Sequence, residues 1–145
     1  MRSRQSKSDP LSLLAAVPLF RGCSKSELKQ IDQASTMAEF PAGSVMCKQG
    51  QSGHELMVVV AGTARVEIDG NEVNQLGAGE FIGELSLLDG GPRSATVTAI
   101  DDVRALVLAP REFSQLLRDV PTIGIKLLAT LASRFRSVEA AAHRH

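Results

Sequence analysis

The spacing of apolar residues along this chain changes twice. From residue 11 to 34 it is helical, from 36 to 108 it is short and alternating, and beyond 110 it is helical again. Leu11, Leu13, Leu14 and Val17 predict a short apolar helix that stops before Pro18, because a residue ahead of proline avoids the α region. Ser24 with Glu27 three residues on is a capping-box pattern, so a second helix should run to about Ala34. Leu28 and Ile31 would face its core side, with Phe20 packed beneath the cap.

The middle of the chain reads as strands broken by turns. Met37–Phe40 ends at Pro41-Ala42-Gly43, and Val45–Cys47 ends in the glycine-bearing stretch 49–53. Glu55–Val60 is rich in Val and Leu. Thr63–Ile68 alternates, with Ala64, Val66 and Ile68 on one face and Arg65 and Glu67 on the other. Asp69-Gly70-Asn71 is a hairpin turn, and Glu72–Leu76 is the returning partner. Ser94–Ile100 and Val103–Leu108 make two more strands about an Asp101-Asp102 corner. Short strands with turns at this density predict a closed or two-sheet β architecture, a jelly roll or a barrel.

The end is helical. Pro110 suits a first helical position, followed by Phe113, Leu116 and Leu117 on one stripe. Asp119-Val120-Pro121 breaks that helix. Ile123, Leu127, Leu128, Leu131, Phe135 and Val138 then recur at helical spacing to about Glu139.

Composition narrows what such a molecule does. At 145 residues the chain suits one domain, and 43% hydrophobic with 22% charged residues is ordinary for a globular protein. Sixteen basic and sixteen acidic residues cancel, so no global field favours nucleic acid or an anionic membrane. The basic clusters at Arg2, Arg4 and Lys7 and at Arg134, Arg136 and Arg144 read as solvated tails and a cation-favouring helix C-terminus. Trp and Tyr are absent and aromatics reach only 3%, which removes base-stacking platforms for single-stranded nucleic acid. Neither a membrane-spanning run nor a signal peptide is expected. Cys23 and Cys47 have no metal-type spacing and read as reduced thiols of a cytoplasmic protein. His54 is the sole histidine outside the C-terminal tail, so no metal set is expected, and with no acid–base pair or nucleophile no enzyme is expected either.

One stretch has no place in a plain β-roll. Gly79–Val97 holds four glycines, a short apolar run, Glu84, Pro92 and Arg93. A single helical turn from Glu84 would present the N–H groups of Gly83, Leu85 and Ser86, and the Gly-Gly-Pro bend can return Arg93 toward them. A carboxylate accepts from a sugar diol and an arginine forks onto a phosphate, so the set suits a sugar phosphate. Spacing alone leaves a second reading open, in which Glu84 and Arg93 pair with each other on the surface of a bend.

The run F-I-G-E-L-S-L-L-D-G-G-P-R-S-A-T-V closely resembles the phosphate-binding cassette of cyclic nucleotide-binding domains, found in bacterial catabolite-activator-like regulators, kinase regulatory subunits and gated channels. Val17–Phe20, Phe40–Gly43, Gly50–Gly53, Gly62 and Pro110 onward also fall where that family places them. The resemblance implies a mainly β fold with flanking helices. It is a double-stranded β-helix (jelly roll) with N-terminal helices and a long C-terminal helix. The domain would cover residues 11–139, with 1–10 a disordered tail and 140–145 a C-terminal tail.

Carried onto these residues, the resemblance gives Glu84 the ribose 2′-hydroxyl and Arg93 the cyclic phosphate. Gly83, Leu85 and Ser86 would supply N–H groups, Ser94 an N–H and a hydroxyl to phosphate or base, and Ala95 room for a close ligand. Arg134, Arg136, Val138 and Glu139 lie where the family's C-terminal helix covers the base. The implied function is a non-enzymatic sensor without metal. It would bind cAMP, with cGMP as the alternative ligand, and would signal through the cassette and the C-terminal helix to a protein partner or a second copy. An alternative is the effector-binding half of a catabolite-activator-type regulator, acting as a dimer with a separate DNA-binding partner. A weaker alternative is a degenerate domain that binds no nucleotide. No DNA-binding domain is present in the chain, so direct nucleic-acid binding is not expected.

Overall fold

The computed structural model describes residues 10–143, and the side chains of Pro10, Leu85, Leu88, Val138 and residues 141–143 are excepted. The expected tail over 1–10 therefore lies outside the described residues except for Pro10, which opens helix α1 (Pro10–Ala15). A 3₁₀ turn over Pro18–Phe20 and helix α2 (Lys25–Ala34) follow. Both halves of the predicted capping box form: the Glu27 N–H donates to Ser24 Oγ at 3.1 Å, and the Ser24 N–H donates to Glu27 Oε1 at 2.8 Å.

Eight strands come next: β1 (Thr36–Phe40), β2 (Val45–Cys47), β3 (Leu56–Ala61), β4 (Ala64–Ile68), β5 (Asn71–Leu76), β6 (Phe81–Ile82), β7 (Thr96–Ala99) and β8 (Val103–Leu108). Helix α3 (Glu84–Asp89) sits between β6 and β7, and α4 (Pro110–Asp119) and α5 (Pro121–His143) end the described chain. The strands form two antiparallel four-stranded sheets, ordered β1-β8-β3-β6 and β2-β7-β4-β5. This is the jelly roll with flanking helices that the strand pattern and the cassette implied.

The layering explains the sequence of β3. Leu56, Met57, Val58 and Val59 are all buried, although side chains alternate between the faces of a strand. Leu56 and Val58 pack with Leu14, Phe20, Ile31, Phe113 and Ile123 in a core between sheet and helices. Met57 and Val59 pack with Ala64, Leu76, Val97 and Ala105 in a second core between the sheets. A strand covered on both faces carries a continuous apolar run. β8 repeats the scheme, with Leu106 and Leu108 toward the helices and Val103 and Ala105 toward the other sheet.

The β4–β5 hairpin closes at Asp69-Gly70 with φ of 53° and 83°, the paired positive values that a tight two-residue turn requires. Its tip is tied back to the chain ahead of Gly50. The Asp69 N–H donates to Gln49 Oε1 at 2.9 Å, and Gln49 Nε2 donates to Asp69 Oδ1 at 3.1 Å.

Three boundaries differ from expectation. β6 was not foreseen; it pairs Phe81 with Val58 and Ile82 with Met57. β7 begins at Thr96 rather than Ser94, because residues 91–95 form the bend. α5 continues to His143 instead of ending near Glu139, which makes residues 140–143 helical; residues 144–145 lie outside the described residues. The α5 stripe also divides. Ile123 and Leu127 are buried and Leu131 packs partly on the core, whereas Leu128 and Phe135 face outward beside Ile125.

Candidate functional site

The cassette occupies the exit from β6. Gly83, with φ of 92°, turns the chain into α3 as its N-cap, and Gly90, with φ of 72°, ends that helix. The first helical bond runs from the Leu87 N–H to the Gly83 carbonyl at 3.0 Å, so the N–H groups of Glu84, Leu85 and Ser86 precede it. The Ser86 side chain is buried, and its hydroxyl donates to the Pro92 carbonyl at 3.1 Å, holding the bend against the helix. Backbone bonds fix the other side: the Arg93 N–H donates to the Gln51 carbonyl at 2.9 Å, and the Gly50 N–H to the Arg93 carbonyl at 2.8 Å.

Arg93 is almost wholly buried, its side chain 7% exposed. Burying a guanidinium is costly unless it is paired, and Glu55 supplies the pairing. Nη1 donates to the Glu55 carbonyl at 2.9 Å and Nη2 to Glu55 Oε1 at 3.3 Å. The guanidinium rests on two glycines. A Cβ on Gly53 would fall 2.8 Å from Arg93 Nε, and one on Gly83 would fall 2.6 Å from Nη1. Arg93 thus keeps its other N–H groups for a ligand, in a seat that only glycine leaves open.

Glu84 is 13% exposed and does not pair with Arg93. Its Oε2 accepts from Arg134 Nη1 of α5 at 2.9 Å. Arg134 lies over the Phe81 ring, 4.6 Å from the centroid, and Nη2 reaches the Phe81 carbonyl at 3.4 Å. The reading in which Glu84 and Arg93 neutralise each other on a surface bend therefore does not describe this molecule.

The two side chains instead line one cavity of about 480 Å³ between the cassette and the β2-β7-β4-β5 sheet. The stretch from β6 through the bend contributes Phe81, Ile82, Gly83, Glu84, Ser86, Arg93, Ser94 and Ala95 to the lining. The facing sheet contributes Cys47, Val66, Ile68, Val73, Asn74, Leu76 and Val97, which are mostly apolar. The charged and polar groups of the cassette suit a phosphate-sized anion, and the apolar side chains of the sheet suit a flat ring system. Burial pushes the Cys47 thiol above its ordinary range of 9.0, partly opposed by the Arg93 charge. Among the described residues no group of three or more His, Cys, Asp or Glu side chains could hold a metal ion, and no helix is long and apolar enough to cross a membrane.

Of the cassette residues singled out from sequence, Gly83, Glu84, Ser86, Arg93, Ser94 and Ala95 all line the cavity, while the side chain of Leu85 lies outside the described residues. Of the α5 residues, Arg134 lines it; Arg136 and Glu139 are exposed and do not, and the side chain of Val138 is not described. Sequence reasoning missed Gly53 and Glu55, the seat and counter-charge of Arg93. It also missed the apolar wall, for which the alternation of Ala64, Val66 and Ile68 was the available signal. Glu55 gave none, since nothing local links it to a residue in a distant bend.

Comparison with known proteins agrees with the geometry. A family model described as a cyclic nucleotide-binding domain matches residues 37–120. A cyclic nucleotide-gated potassium channel of Rhizobium etli is 38% identical over 122 residues, covering 84% of this chain and 34% of the channel. The cyclic AMP receptor protein of Thermus thermophilus is 34% identical over 127 residues, covering 84% of this chain and 59% of the receptor. The crystal structure of Thermus thermophilus catabolite activator protein superposes with a TM-score of 0.80 at 33% identity, covering 87% of this chain and 62% of that one. This chain thus spans from about a third to about three-fifths of the length of these relatives. Cavity, cassette and sequence relationship lead to one assignment: the chain belongs to the cyclic nucleotide-binding domain family.

Proposed function

We propose that this domain is a cyclic nucleotide sensor, with cAMP as its first ligand and cGMP as its second. The observation that carries the reading is the buried Arg93, paired with Glu55 and lining a cavity that it shares with Glu84 and with apolar side chains of the facing sheet. The cyclic phosphate would take the free N–H groups of Arg93 with those of the cassette, and Ser94 would add its hydroxyl. Glu84 would accept from the ribose 2′-hydroxyl. The purine would lie along Val66, Ile68, Val73 and Leu76. The role is binding rather than catalysis, in the reducing cytoplasm that two free cysteines suit.

Binding would be transmitted through the cassette and α5, which meet at Glu84 and Arg134. Ile125, Leu128 and Phe135 stand 67%, 68% and 63% exposed along α5, an apolar row that suits a second copy or a partner helix. The same row supports a second reading, in which the domain is the effector-binding half of a transcription regulator and dimerises through α5 beside a separate DNA-binding partner.

Titration calorimetry with cAMP, cGMP and AMP tests the function. Saturable binding of a cyclic purine nucleotide is expected, and Arg93→Ala should weaken it by more than about tenfold, since a charge-assisted hydrogen bond to phosphate is removed. Absence of heat with both cyclic nucleotides would refute the proposal.

A further inference from the structure

A second cavity, of about 430 Å³, shares only Phe81 and Arg134 with the first. Three segments line it: the 3₁₀ turn at Pro18 and Leu19, the chain entering β6 from Gly79, and α5. Turn and chain meet closely, since a Cβ on Gly79 would fall 2.6 Å from Pro18 Cδ. Leu19 and Phe81 are buried, and with Pro18 and Ala129 they give the lining its apolar surface. Its volume lies within the range of small-molecule sites.

The polar groups of this lining are engaged, with one exception. Arg134 Nη1 donates to Glu84 Oε2 and Nη2 to the Phe81 carbonyl, and Thr130 Oγ1 donates to the Lys126 carbonyl at 3.0 Å. Glu80 Oε1 accepts from the Gly77 N–H at 2.7 Å. Lys126 is the exception. Its residue is half-buried, yet its ammonium makes no hydrogen bond or ion pair among the described residues. A Cβ on Gly22 would lie 3.5 Å from Lys126 Nζ, so the ammonium reaches the turn that follows Phe20.

We infer that this second cavity is a binding site for a small apolar monocarboxylate, whose carboxylate pairs with Lys126 while its body packs on Leu19 and Phe81. Two cations in the lining disfavour a cationic ligand, and the Glu80 carboxylate disfavours a dianion such as a phosphate monoester. A neutral ligand would leave the ammonium without an acceptor. The site rests on its own residues and stands apart from the cyclic nucleotide reading.

Naphthylacetate and its uncharged amide are the probes, titrated into the full chain in the presence of cAMP and followed by backbone amide NMR shifts. Wild type should bind the acid saturably, with shifts centred on Gly79, Glu80, Ala129 and Thr130, and at least about tenfold tighter than the amide. Lys126→Gln should bring acid and amide within about twofold of each other. Ala129→Trp, at an exposed helix position, should fill the cavity and abolish binding of both while the melting temperature holds. Equal affinity for acid and amide in wild type, or a preference that survives Lys126→Gln, would overturn the inference. So would undiminished binding in Ala129→Trp, shifts centred on Cys47 and Val73 or on Ile125 and Leu128, or no saturation by about 10 mM, well above the range of a specific small-molecule site. Wild type that ignores cAMP but binds the acid at this cavity removes the proposed function and leaves this inference standing.

Discussion

Gly83→Ala makes a sharp test of how Arg93 is seated. Two costs add. Gly83 has φ of 92°, and a residue with a Cβ in the left-handed region costs about 1–2 kcal/mol. The new Cβ would also lie 2.5 Å from the Glu55 carbonyl oxygen and 2.6 Å from Arg93 Nη1, the two atoms of the 2.9 Å hydrogen bond that anchors the guanidinium. Neither atom is the loose end of an exposed side chain, so the bond must open. Losing a hydrogen bond to a charged group costs about 1.5–3 kcal/mol. The expected sum is about 3–5 kcal/mol, a large share of the ~5–15 kcal/mol by which domains are stable. At about 3–4 °C per kcal/mol for a chain of this size, the melting temperature should fall by about 10–20 °C. Gly90→Ala is the control: φ is 72°, but a Cβ there meets nothing within 4 Å, so only the backbone cost of about 1–2 kcal/mol applies. Differential scanning calorimetry of both variants separates the terms. Equal melting temperatures for the two would refute the seating of Arg93 against Glu55.

Three further outcomes follow from features already described. Burial raises both thiols above 9.0, so the reactive thiolate is scarce at pH 8, and alkylation of Cys23 and Cys47 by iodoacetamide should be slower than for an ordinary cysteine and accelerate as pH climbs past 9; bound cAMP should shield Cys47, which lines the cavity, and leave Cys23 unchanged. Leu128→Glu, at a site 68% exposed, should leave the melting temperature within about 1 °C while converting a dimer to a monomer in light scattering, and a wild type that is monomeric at all concentrations would dispose of the α5 interface. Ser24→Ala removes one arm of the capping box and should cost about 1 kcal/mol in urea unfolding, with Ser24→Asp close to wild type.

Features written in neighbouring residues were legible in the sequence. The capping box, the Asp69-Gly70 turn and the strand alternation each depend on residues within a few positions of one another, and each forms. The cassette could be read because its phosphate chemistry is packed into one continuous run. What escaped was long-range. β6 is only two residues long and exists because β3 offers an edge to pair with, which no local pattern announces. Arg93 and Glu55 are 38 positions apart, and Arg134 and Glu84 are 50 apart, so their pairings follow from the closure of the roll. The α5 stripe shows the other limit of periodicity. It marks apolar positions without saying which face meets the core, and so Leu128 and Phe135 were grouped with residues that are buried while they are not.

The strand order β1-β8-β3-β6 has a kinetic consequence. No two neighbours in that sheet are consecutive in the chain, whereas β4 and β5 in the other sheet are joined by a two-residue turn. Loop closure must be met before distant strands repay it, so folding should proceed on the order of milliseconds to seconds, with the β4–β5 hairpin formed early and the β1–β8 pairing late. The cavity draws its lining from Cys47 through Arg134. A nascent chain emerging from the ribosome would therefore hold a complete cassette well before it holds a site. Ligand competence should arrive in one step, when α5 docks, and not grow by degrees as the strands assemble.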